Sequence, residues 1–105
     1  MISVEFFSRG GQWTGFCIEG HSDASEAGTD IVCAAVSSAA YLTANTVTDV
    51  LQVSATAEAE DGKMVLQIHP EDVSECQTTL QGLWLHLNGL REQYPENIKI
   101  SNTEV

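Results

Sequence analysis

Residues 53–60 read VSATAEAE, Asp61-Gly62 follows, and residues 63–69 read KMVLQIH before Pro70. Alternation on both sides of an Asp-Gly pair is the strongest short-range signal for a β-hairpin. Pro70 has no amide to donate to a sheet and ends the second strand. Toward the N-terminus, residues 2–8 (ISVEFFS) and 12–19 (QWTGFCIE) flank Arg9-Gly10-Gly11, a turn signal, and predict an earlier hairpin. Between the hairpins lie Gly20, a small and polar stretch over 21–29 that reads as a loop, and an Ala/Val/Leu-rich helix from 30 to about 52. Thr29 or Asp30 is the expected N-cap. After Pro70, Glu71 and Asp72 suit the first turn of a second helix. Its apolar stripe is Val73, Cys76, Leu80, Leu83, Trp84, Leu87 and Leu90. Pro95 closes it, and NIKIS at 97–101 reads as a last strand. The order ββαββαβ predicts one α+β domain over 1–105, a mostly antiparallel sheet of about five strands with two helices packed on it.

The 105 residues, 43% of them apolar, suit a single domain with its own core. Four basic residues (Arg9, Lys63, Arg91, Lys99) face 15 acidic ones, for a net charge of −11. That balance argues against direct nucleic-acid binding, which needs cations at phosphates. It favours a basic partner and speeds its approach. The bland reading is that acidity keeps the protein soluble. No apolar run approaches the roughly 18 residues of a membrane span. The N-terminus reads as a strand and lacks the features of a signal peptide, so a cytoplasmic protein with no membrane partner is expected.

Three cysteines, an odd number, and no secretory signal do not suggest a disulfide framework. Neither Cys-x-x-Cys nor His-x-x-x-His occurs, which argues against structural zinc. Cys33 is expected in the first turn of the first helix. Unpaired amides there favour thiolate over thiol and are able to hold an oxyanion. His21 lies twelve residues earlier, at the exit of the second strand, across a loop short enough to bring imidazole to sulfur at little entropic cost. A thiolate with an imidazole is the minimum set for acyl transfer. The competing reading is an inert core cysteine. Cys76 belongs to the helix stripe and Cys17 to a strand between Phe16 and Ile18, so core or near-core is their default. His69 at a strand end and His86 on the second helix are structural by default. Asp30 has two readings, helix cap or first-turn residue against orienter of His21. Ser37, one helical turn after Cys33, either hydrogen-bonds near the site or lets the helix pack closely. Asp23 and Glu26 are solvated loop charges by default.

The stretch GHSDASEAGTDIVCAAVSSA, residues 20–39, resembles the signature of the ribosomal-processing cysteine protease family, Prp. The distinctive pieces are Gly20-His21, Gly28, Asp30-Ile31-Val32-Cys33-Ala34 and Ser37. The resemblance implies a peptidase with Cys33 as nucleophile and His21 as general base. Its substrate would be the precursor of a basic protein of the large ribosomal subunit, the one numbered twenty-seven in the bacterial scheme. A short N-terminal extension would be removed after a pair of aromatic residues. The resemblance further implies a homodimer, no metal or organic cofactor, and a mobile lid over the intervening loop, with Gly28 as its hinge. The basic residues associated with the family's C-terminus are scarce here, where the chain ends Ser101-Asn102-Thr103-Glu104-Val105. The alternative function is a non-catalytic acidic factor that binds a basic ribosomal protein during assembly. A redox or acyl-carrying thiol enzyme ranks last, because no resolving cysteine lies nearby in sequence.

Overall fold

The computed structural model describes residues 1–20 and 27–105, with the backbone alone over 27–30. Strands β1 (Ile2–Arg9) and β2 (Gln12–Gly20) form the first hairpin. Helix α1 (Ala27–Asn45) runs into a π-helical turn, Thr46–Val50. Strands β3 (Ala55–Glu60) and β4 (Lys63–Ile68) form the Asp61-Gly62 hairpin. A 3-10 helix, Pro70–Cys76, leads into α2 (Gln77–Gln93), and β5 (Ile98–Glu104) follows.

The sheet order is β3-β4-β2-β1-β5. Its β3–β4, β4–β2 and β2–β1 pairs are antiparallel, and β1–β5 is parallel. The sheet is therefore mixed. The parallel edge follows from the connection: chain returning through a helix, and not through a tight turn, can enter beside β1 in β1's own direction.

One face of the sheet is covered. Ile2, Val4, Phe6, Phe16, Ile18, Leu66, Ile68 and Ile98 point to the helices and are buried. Registers Phe6↔Phe16, Phe16↔Leu66 and Ile2↔Ile98 line these side chains up in rows across the strands. From α1 come Val32, Val36, Ala40 and Ala44, from the π-helical turn Val47, and from the second helical segment Val73, Cys76, Leu80, Leu83 and Leu87. Trp84 and Leu90, the rest of the expected stripe, pack against this core while half-buried. Phe6, Trp13 and Trp84 form an aromatic cluster with ring centroids 5.2–5.3 Å apart. Gln77 holds the first hairpin to α2: its amide oxygen accepts from the Trp13 N–H at 2.8 Å, and its amide nitrogen donates to the Trp13 carbonyl at 2.7 Å.

Three expectations need correction. First, α1 begins at Ala27, so Thr29 and Asp30 have helical backbone and neither is its N-cap. Gly28 lies in the first turn, where a glycine costs the helix only about 1 kcal/mol, less than packing a long apolar face returns. Second, Cys17 is half-buried on the sheet's outer face. Strand alternation turns it away from the helices because its neighbours Phe16 and Ile18 enter the core. Third, Ile31–Val50 is long and apolar enough to cross a membrane by length and composition, because alanines dilute its polar residues. One side of this segment nevertheless packs on the sheet.

Candidate active site

A groove of about 470 Å³ opens at the end of the sheet where β2 stops and the β3–β4 hairpin turns. Cys33, Val36, Ser37, Ala40 and Tyr41 of α1 form one wall. Ile2, Ile18 and Met64 supply apolar lining, and Gly20 with the hairpin tip at Asp61-Gly62 closes the end. Helix periodicity explains the wall. Val32, Val36 and Ala40 are buried in the core, while Cys33, Ser37 and Tyr41 sit one position further round, where the helix leaves the sheet.

Cys33 is half-buried, and as the seventh residue of α1 it lies in the second turn, not the first. The amides without an intrahelical acceptor belong to the turn before it. Helical side chains lean toward the N-terminus, so its sulfur lies over that preceding turn. The helix field reaches the thiol from one turn away and is weaker than for a first-turn cysteine.

Gly20 sets the chain's entry to the site. Its φ is +103°, and an added Cβ would lie 2.4 Å from the Met1 carbonyl oxygen. Only glycine fits both the left-handed backbone and the contact. Its amide donates to the Gly62 carbonyl at 2.9 Å. His21, the next residue, lies outside the described residues, as does the side chain of Asp30, while Gly28 is described by its helical backbone. Ser37 is exposed and lines the groove with Cys33.

The other thiols are placed differently. Burial, then the Glu75 and Asp72 carboxylates, push the Cys76 thiol up, and Cys76 is fully enclosed. Burial also raises Cys17, with Glu19 and Glu5 adding to the shift and Lys63 opposing it. Both are thereby held as the less reactive thiol form. His69 is at an exposed strand end, 3.6 Å from Glu71, and His86 is exposed on α2. A wider cleft of about 680 Å³ at the opposite end of the sheet is lined by Arg9, Gln12, Thr14 and His69 and holds no cysteine, so thiol chemistry has no place there. Among the described residues no group of three His, Cys, Asp or Glu is placed to hold a metal. The sequence reading missed Tyr41, Ala59 and Met64 as groove residues. The i, i+4, i+8 spacing from Cys33 was the available signal for Tyr41, whereas the hairpin residues reach the groove only through sheet pairing.

A thiol on a helix, opening into a groove on an α+β domain, is an arrangement compatible with a cysteine peptidase. Residues 1–99 match the family model for cysteine protease Prp, and the chain belongs to that family. It is 29% identical over 104 residues to the ribosomal processing cysteine protease Prp of Staphylococcus aureus, covering 96% of this chain and 98% of that one. The fold matches the crystal structure of the essential ribosomal processing protease Prp of S. aureus in complex with a substrate peptide. The TM-score is 0.86 at 26% identity, covering 98% of this chain and 100% of the other. The same S. aureus protease with a covalently linked product peptide matches at TM-score 0.86 and 27% identity, with the same coverage. A Streptococcus mutans protein matches at 0.82 and 26% identity, covering 100% of this chain and 96% of that one. The protein is thus a cysteine protease of the Prp family.

Proposed function

We propose that this protease matures a ribosomal protein by removing an N-terminal extension, with Cys33 as nucleophile and His21 as general base. The observation that carries the reading is that Cys33 and Gly20, the residue before His21, line one groove. His21 takes the Cys33 thiol proton, the thiolate attacks the scissile carbonyl carbon, and the carbonyl electron pair moves to oxygen. Collapse of that oxyanion expels the amine, which takes a proton from the His21 imidazolium and leaves a thioester on Cys33. Water, deprotonated by His21, then attacks the thioester, releases the acid and restores the thiolate. The S. aureus relative with a covalently linked product peptide supports a covalent route.

Asp30, fourth in α1 and no longer a cap, is proposed to orient His21, and Ser37 to hydrogen-bond within the groove. Gly28, in the first turn of α1, is proposed as the hinge of the lid that the resemblance implies for the loop before it. The substrate we propose is the large-subunit protein numbered twenty-seven, cut after an aromatic pair. A net charge of −11 suits such a basic partner. A cytoplasmic location fits a ribosomal substrate. A homodimer is proposed from the family resemblance, and Ile31, Leu42 and Leu85 are exposed apolar side chains on its two helices.

The test is incubation of the purified protein with the precursor peptide, read by mass. Wild type should release the extension, and Cys33→Ala and His21→Ala should not. His21→Ala should also slow alkylation of Cys33 near neutral pH. Cleavage persisting in Cys33→Ala would sink the assignment. Binding without any product would restore the non-catalytic alternative.

A further inference from the structure

Tyr41 shares the groove wall with Cys33 and stands on the same helical stripe, eight residues later. At the helical rise this is about 12 Å along α1. An extended peptide advances about 3.3–3.6 Å per residue, so the same span corresponds to three or four residues of substrate. Tyr41 is 50% exposed and lines the groove, so its ring is open to apolar contact there. Met64 and the small Ala59, partners across the β3–β4 hairpin, line the same groove. One groove is lined by both the thiol and the ring, so a peptide lying along it from Cys33 reaches Tyr41.

We infer that Tyr41 is a specificity-determining residue, and that with Ala59 and Met64 it forms a subsite for one large apolar side chain. That side chain lies three or four residues from the scissile bond, on the arm of substrate that runs along α1. The inference rests on Cys33 being the nucleophile. The ring supplies apolar contact area, so its hydroxyl is dispensable. Ala59 is exposed on β3, where a β-branched replacement is compatible with the strand and narrows the subsite.

The experiment is cleavage of a random decapeptide library by the full chain, with every cut bond read by mass spectrometry. Wild type should enrich leucine, isoleucine, methionine or phenylalanine at the third or fourth position on one side of the cut, by roughly tenfold. Tyr41→Ala should lose that enrichment, with the loss on a single preferred peptide falling on KM rather than kcat. Tyr41→Phe should keep it, and Ala59→Val should shift it toward smaller side chains. Full enrichment retained in Tyr41→Ala, or absent from wild type, overturns the inference. Cleavage surviving Cys33→Ala overturns the thiol assignment instead, and the Tyr41 comparison is still read from the same library.

Discussion

The Gly20 amide donates to the Gly62 carbonyl at 2.9 Å and ties the end of β2 to the tip of the β3–β4 hairpin. Both glycines have positive φ, and both line the groove that holds Cys33. This bond extends the β2–β4 ladder past Glu19 and Lys63 to the point where the chain enters the site.

Replacement of Gly20 by alanine should be costly beyond its location at a strand end. The new Cβ meets the Met1 carbonyl at 2.4 Å, and the backbone must leave its left-handed conformation. Destabilisation should exceed about 1 kcal/mol, and kcat/KM should fall by more than the lost stability accounts for, because the residue after it is displaced. Urea denaturation with activity measured on the folded fraction checks this. Wild-type values in both would show that the contact does not set the site.

Alkaline pH should weaken the fold through its thiols. The Cys17 thiol is raised above its ordinary value of 9.0, chiefly by burial and then by Glu19 and Glu5. Over the window from that ordinary value up to the raised one, the unfolded chain binds fewer protons than the native one. The stabilising contribution is thus complete below the unfolded value and is lost as pH climbs through the folded one. Urea midpoints measured from about pH 7 to about pH 10 should fall, and they should fall less steeply in Cys17→Val. Parallel curves for the two proteins would refute this origin.

Gln77 should matter more than a half-buried polar residue usually does. It makes two bonds to the Trp13 backbone and a third to the Val73 carbonyl at 2.8 Å. Gln77→Ala leaves the Trp13 amide without its acceptor, at a cost of about 1–3 kcal/mol. A lowered Tm with a shift in tryptophan fluorescence, from Trp13 moving against Trp84, is the expected readout. A drop in Tm with unchanged fluorescence would separate Gln77 from the aromatic cluster.

The sequence by itself determined the order of elements, both hairpins and the buried stripe of the second helix. Each rests on local periodicity and turn chemistry within a few residues, such as the alternation around Asp61-Gly62 and the spacing from Val73 to Leu87. It also singled out the segment from Gly20 to Ser37 and the thiol within it. Only the tertiary structure decided that β5 runs parallel to β1, that Cys17 faces outward, and that α1 starts at Ala27 and places Cys33 in its second turn. The first two outcomes depend on pairing and packing between residues far apart in the chain. The reason glycine stands at position 20 is of the same kind, because the Met1 carbonyl that forbids a side chain there lies just before the neighbouring strand β1. So is the join between Tyr41 and the hairpin, two walls brought together only when α1 settles on the sheet.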